Sequence, residues 1–192
     1  MQIDNKIKIN CCIGVDPGSN GGLAVFIPGQ KVRVVKMPKD LSELRDFFAY
    51  YSENYRPIVF LEKLSVRPDD VATDEGKANM GKLYRIQKLM ANYEHLKAII
   101  ETTGLPYIMV HPGKWSAYLG LRIKRNPYLP KETKQERKER YKDYAQKCYP
   151  EIRATLWNAD ALNIMHFGRK VLVNDSNWVK ANLPKPAYEK LF

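Results

Sequence analysis

The segment Ile7–Val15 (IKINCCIGV) carries no charge after Lys8 and ends on an unbroken apolar run. A run of strand length without polar alternation leaves no face for water, so it predicts a central strand covered on both sides of its sheet. It stops abruptly at Asp16-Pro17-Gly18-Ser19-Asn20-Gly21-Gly22, a cluster of turn residues. Leu23–Ile27 reads as a second short strand, closed by Pro28-Gly29, and the alternation of Gln30–Met37 gives a third. Three successive strands with tight turns predict an antiparallel meander. Leu41, Leu44, Phe47, Phe48 and Tyr51 then have helical spacing behind Asp40, a suitable N-cap. Pro57–Leu61 is a second buried strand and ends at Glu62.

From Ser65 to Lys77 the pattern lapses into polar and turn residues, and no regular element is expected. Helical periodicity resumes from about Asn79 to Thr102 and halts at Gly104, a C-terminal signal. Leu105–Val110 is another strand. The stretch from Arg122 to Asp143 holds nine basic residues against four acidic ones, interrupted by Pro127 and Pro130. Its second half predicts a basic helix over Lys131–Cys148. A last helix starts within Trp157–Asp160, with Asn158 as its expected cap, and runs to about Val171. The chain divides into one domain over residues 1–174, with a basic segment at 122–148, and an irregular tail at 175–192. Strands and helices in this order predict an α/β layer architecture with a mixed sheet.

The 192 residues suit one domain, and 32 Lys and Arg against 21 Asp and Glu give a net charge of +11. Such an excess points to a polyanionic partner, nucleic acid or an anionic membrane surface. The three cysteines lack the C-x-x-C spacing of a zinc or redox site and fit a reducing compartment. No apolar run approaches a membrane span, and the first ten residues have no apolar signal core, so a soluble cytoplasmic protein is expected.

Three carboxylates fall where such a fold brings side chains together. Asp16 and Glu62 end two buried strands, and Asp160 lies in the first turn of the last helix. Strand ends of an open α/β sheet converge at one edge, where ligands bind. Clustered acids repel one another unless a cation lies between them, and Mg²⁺ takes a few carboxylates, waters and phosphate oxygens. Two such ions, roughly 3.5–4 Å apart, stabilise both the attacking and the leaving oxygen in phosphodiester hydrolysis. An acidic pocket in a basic protein therefore points to a metal nuclease. Taken singly, each acid also has a plain structural role. Asp16 suits a turn, Glu62 a strand end, and Asp160 the positive end of a helix dipole. Gly21-Gly22 is not a phosphate-cradling loop, and His111 and His166 have no partner at ligand spacing.

Together the segments carry a resemblance. Ile13–Phe26 (IGVDPGSNGGLAVF) resembles the opening motif of the RuvC family of Holliday junction resolvases, most of all the RuvC-like endonucleases of phages and prophage elements. Val59–Lys63 (VFLEK) resembles that family's second acidic strand. Gly104–Trp115 (GLPYIMVHPGKW) resembles its next strand and Pro-x-x-Trp turn, and Ala159–Lys170 (ADALNIMHFGRK) its final acidic helix. The resemblance implies a ribonuclease H-like fold with a mixed five-stranded sheet flanked by helices. It also implies a homodimer and symmetric paired nicks in four-way junctions, leaving 5′-phosphate and 3′-hydroxyl ends. Asp16, Glu62 and Asp160 become ligands of two Mg²⁺ ions, with Mn²⁺ able to substitute, and Lys134 and Lys138 fall in the region of the family's basic residues near the scissile phosphate. Asn163, one helical turn after Asp160, is a further auxiliary candidate by its spacing. Arg67, Lys77, Lys82, Lys114, Arg122, Lys124, Arg125 and Lys131 are the expected DNA contacts. One departure stands out: the family places an acid or His three residues before its last Asp, and here that residue is Trp157. The fourth ligand is therefore unassigned. A second departure is Val66 and Arg67 in place of the family's aromatic residue at the start of its mobile loop. Two rivals share the pattern, a less specific flap or single-strand nuclease and a nuclease-dead junction binder.

Overall fold

A computed structural model describes residues 10–66, 79–123, 127–128, 130 and 132–183. Its elements run β1 (Cys11–Asp16), β2 (Gly22–Phe26), β3 (Arg33–Lys36), α1 (Leu41–Asn54), β4 (Pro57–Glu62), α2 (Met80–Thr102), β5 (Tyr107–Val110), α3 (Pro112–Tyr118), α4 (Lys134–Cys148), α5 (Ala159–Asn174) and α6 (Ser176–Asn182). The strands form one mixed sheet in the order β3-β2-β1-β4-β5. The β1–β2 and β2–β3 pairs are antiparallel, as the meander predicts, while β4 lies parallel to β1 and β5 parallel to β4. No helix of the described residues is long and apolar enough to cross a membrane.

β1 is the central strand, and its side chains divide with the two-residue period of a pleat. Cys11, Ile13 and Val15 enter one core with Leu44, Phe48 and Tyr51 of α1 and Tyr93, Leu96 and Ile100 of α2. Cys12 enters the other, with Ile58 and Phe60 of β4, Ile108 of β5 and the buried face of α5. Asp16 and Glu62 share the parity of Cys12 and Phe60, so both belong to the α5 side of the sheet. Opposite them, α5 packs its backbone directly on β1. A Cβ on Gly14 would lie 2.7 Å from Met165 Cα and would also run into Met165 N and Ala161 O. Gly168, one helical turn beyond Met165, makes the reciprocal approach: a Cβ there would sit 2.6 Å from Phe60 Cε2 and 2.9 Å from Cys12 Sγ.

Several expectations change. The Pro-x-x-Trp turn is the short helix α3, whose N-cap His111 accepts a hydrogen bond at Nδ1 from Gly113 N at 3.1 Å. The tail expected to be irregular beyond Asn174 contains α6. Asp175 Oδ1 caps that helix by accepting from Trp178 N at 3.0 Å, and Val179 and Leu183 are buried in the α5-side core. Seven residues are too few for a helical period to show in sequence. Helix α4 starts at Lys134 rather than Lys131, behind a capping box of Thr133 and Glu136. Lys131 itself lies outside the described residues, as does most of the polar stretch from Ser65 to Lys77.

The Gly14 contact yields a prediction. Gly14→Ala forces a methyl group into helix backbone, which cannot swing aside, and is expected to destabilise by about 1–3 kcal/mol or more. Gly81→Ala, at an exposed helical site where the nearest atom is Asn79 Oδ1 at 3.4 Å, is expected to be neutral or stabilising. Urea unfolding of the two variants compares them.

Candidate active site

Asp16 is the last residue of β1, Glu62 the last of β4, and Asp160 the second residue of α5. Parallel pairing of β1 with β4 brings the first two to one end of the sheet. The seating of α5 on Gly14 brings the third above them. Asp160 is only 6% exposed, whereas Asp16 and Glu62 are half-buried.

Each carboxylate is held by a different partner. Asp16 Oδ1 accepts from Gly18 N at 3.3 Å within its own turn. Glu62 Oε1 accepts from the indole Nε1 of Trp115 at 3.0 Å. Asp160 Oδ2 is bonded to the ammonium of Lys138 on α4. Asp160 Oδ1 is buried and has no hydrogen-bond partner.

The acids feel one another. Burial, reinforced by the charge of Asp160, pushes Asp16 up to about 6 despite the Gly18 N–H and Lys138. Burial, then the charges of Asp16 and Asp160, pushes Glu62 up to about 8, although the Trp115 N–H and Lys138 pull the other way. Burial opposes the charge on Lys138, but Asp160 first, then Asp16 and Glu62, hold its ammonium above the usual lysine range. The site is thus an acidic cluster short of positive charge, with one lysine supplying part of it.

A cavity of about 830 Å³ opens over Glu62 and Asp160. Its walls carry Lys138, Arg137, Lys114 and Arg122, three of which were expected DNA contacts or auxiliary residues. Arg137 was not singled out, though it belongs to the basic run that sequence makes visible. Lys134 stands on the exposed first turn of α4, one turn before Lys138. Lys82 lies away from that wall, in the first turn of α2, where its N–H bonds the Asn79 side chain at 2.9 Å. Arg67, Lys77, Lys124, Arg125 and Lys131 lie outside the described residues.

Asn163 is fully buried, and its amide donates to Tyr141 O at 3.0 Å, tying α5 to α4. Its Oδ1 has no partner. Asn158, expected to cap α5, instead accepts from Thr155 N at 2.7 Å and donates to Arg153 O at 3.1 Å. It braces the loop before the helix. Trp115 is the residue that sequence reasoning passed over. The tryptophan of the Pro-x-x-Trp turn was quoted as a motif, yet only the fold shows its N–H reaching Glu62.

Does this set suit a divalent metal? The donors are all hard carboxylate oxygens, and one buried oxygen, Asp160 Oδ1, lacks a partner. Among the described residues no group of three Asp, Glu, His or Cys side chains is arranged so that it could hold a metal ion by itself. The donor chemistry, hard carboxylate oxygen throughout, is the kind that Mg²⁺ takes together with waters and phosphate oxygens.

The fold is that of known structures. RuvC of Thermus thermophilus in complex with a Holliday junction substrate superposes with a TM-score of 0.50 at 16% identity, covering 84% of this chain and 94% of that chain. The structure of Thermus thermophilus RuvC gives a TM-score of 0.49 at the same identity, over 84% of this chain and 95% of that one. No protein-family model and no curated protein sequence matches the chain. The chain therefore has a RuvC-like, ribonuclease H-like fold: a mixed five-stranded sheet flanked by helices.

The raised carboxylates give a pH prediction. Glu62 holds its proton in the folded state up to about pH 8, whereas in the unfolded chain it releases it near the usual glutamate value. Raising the pH between those limits therefore favours unfolding. The metal-free protein in EDTA is expected to melt at a lower temperature at pH 8.5 than at pH 5.5. Glu62→Gln should flatten that fall, and thermal melts of both proteins across this range provide the check.

Proposed function

We propose that the chain is a divalent-metal-dependent endonuclease of branched DNA, with the four-way junction as its substrate. The observation that carries this reading is a set of three acids, Asp16, Glu62 and Asp160, close enough to feel one another's charge, two of which, Glu62 and Asp160, line a cation-walled cavity, with Asp160 Oδ1 left unpartnered. The fold likeness to a RuvC solved with a Holliday junction supports the substrate class.

In this reading Asp16, Glu62 and Asp160 hold Mg²⁺ or Mn²⁺. Bound there, the metal supplies Lewis-acid charge to the scissile phosphate and acidifies a water to serve as nucleophile. The chain's own residues prepare the site. Trp115 fixes the orientation of Glu62 through its N–H, and Lys138 steadies Asp160 through Oδ2 while placing a cation at the cavity floor. Lys114, Arg122 and Arg137 line the approach and neutralise the phosphate backbone. Paired nicks need two sites related by a two-fold axis, hence an isologous dimer. The first half of α2 supports this. Met80 is 72% and Tyr84 68% exposed, and the helix buries only Tyr93, Leu96 and Ile100, all in its second half.

One observation favours a second reading, a junction binder without nuclease activity: the ammonium of Lys138 already occupies one oxygen of Asp160. Two experiments separate these readings. Asp16→Asn should abolish nicking of a four-way junction in Mg²⁺ while keeping or improving binding, because a negative charge facing phosphate is lost. Full nicking by that variant would overturn the metal assignment, and a wild-type protein that binds without nicking in Mg²⁺ or Mn²⁺ would establish the binder. Running four-way, Y-shaped and linear DNA side by side distinguishes the resolvase from a flap nuclease. The net charge of +11 sets a further expectation. If about 6–10 phosphates are neutralised, affinity should drop by roughly 10³ or more between about 50 and 200 mM salt, as a titration by anisotropy would show.

A further inference from the structure

Trp157 is a large aromatic residue that neither core uses. Its ring contributes to neither hydrophobic cluster, although it is half-buried, and among the described residues it has no aromatic or cationic ring partner. What it touches is Gly22: a Cβ there would fall 3.0 Å from Cζ3 and 3.2 Å from Cε3 of the indole. Gly22 is the β2 residue paired with Asp16. Trp157 also lies three residues before Asp160. The ring therefore stands beside the carboxylate site, with its Cζ3–Cε3 edge close to strand backbone that has no side chain to displace it.

The turn that presents it is stiff. The Asn158 side chain spans the loop from Arg153 O to Thr155 N, and Asn158 N and Ala159 N both bond Thr155 O, at 3.3 and 3.1 Å. A loop held in this way has already lost its backbone freedom, so a flat partner that stacks on the accessible part of the indole orders little more of the chain. Leu156, 41% exposed, extends the apolar surface beside it.

We propose that Trp157 is a stacking platform for a nucleobase of the strand that enters the carboxylate site. Stacking is available only to a base whose face is not covered by a neighbouring base, so Trp157 selects DNA with an unstacked nucleotide next to the cleaved phosphate. Every base has a π-face, so the selection is for structure and not for sequence. This inference rests on the reading of the acids as a DNA site and goes beyond it by naming what recognises the opened strand.

The test needs no cleavage. The full-length protein is titrated in EDTA with a short oligothymidylate, with a linear duplex and with a four-way junction, following tryptophan fluorescence and, separately, anisotropy of labelled DNA. Stacking on the indole should quench emission as oligothymidylate binds. In Trp157→Phe, where Trp115 and Trp178 remain, most of the quench should be lost while affinity stays within about threefold, because phenylalanine still stacks. In Trp157→Ala affinity for oligothymidylate should fall roughly tenfold and that for linear duplex much less. An undiminished quench in Trp157→Phe, or wild-type affinity of Trp157→Ala for oligothymidylate, would overturn the proposal and leave Trp157 as a wedge over Gly22. If Trp157→Ala fails to fold, the loss or persistence of quench in Trp157→Phe still decides. A wild-type protein that binds a four-way junction but not oligothymidylate would overturn this inference alone, and one that binds none of the three DNAs would sink the DNA-site reading with it.

Discussion

The close contact of α5 with β1 at Gly14 is the constraint on which the site depends. Helix backbone rests on strand backbone there with no side chain between them, and Gly168 lets the same helix settle against Phe60 and Cys12. Any bulk at these points lifts α5, and with it Asp160, away from the two strand-borne acids. The period of the pleat does the rest. Asp16 and Glu62 share a face because Cys12 and Phe60 do, and a one-residue slip of either strand would turn its acid toward α1 and α2. Geometry set in the core thus fixes which charges meet at the sheet's end.

Those charges are arranged at a cost. Three acids are gathered where burial and mutual repulsion disfavour ionisation, and Lys138 offsets only part of the deficit. On the proposed reading a further cation relieves that repulsion, because an opposite charge favours the ionised carboxylates. The surrounding chemistry agrees. Arg140 is committed to Glu132 and to Leu121 O, so it secures the loop at the cavity wall, while Arg137, Lys114 and Arg122 are presented on that wall. The molecule divides its basic residues between structure and surface charge.

Much of this was legible in sequence because it follows from periodicity and from punctuation. The unbroken apolar run of β1, the DPGSNGG turn, the helical spacing of α2 and its stop at Gly104 each correspond to an observed element. The acids were legible as strand ends and a first helical turn. What escaped was whatever depends on contacts distant in sequence. Trp115 reads as an apolar residue of a turn, and only the packing of α3 against β4 brings its N–H to Glu62, 53 residues away. Asn158 reads as a helix cap, but its side chain is drawn back to Arg153 and Thr155. Trp157 reads as a departure from a family pattern, and its place over Gly22 depends on a strand pairing far upstream. Helix α6 is too short to announce itself.

That short helix reaches further than its position implies. Trp178 of α6 meets Phe167 of α5 edge-on, with centroids 5.6 Å apart, and Phe167 meets Phe60 of β4 edge-on at 6.1 Å. Phe60 lies two residues before Glu62 on the same strand face. A continuous file of aromatic rings therefore runs from a helix beyond the recognisable motifs to the strand that carries one of the acids. In protein interiors packed at crystal-like density, such a file transmits displacement and does not absorb it. Residues 176–183, late in the sequence, thereby brace the strand that carries Glu62, and natural variation there would be coupled to the alignment of the carboxylates.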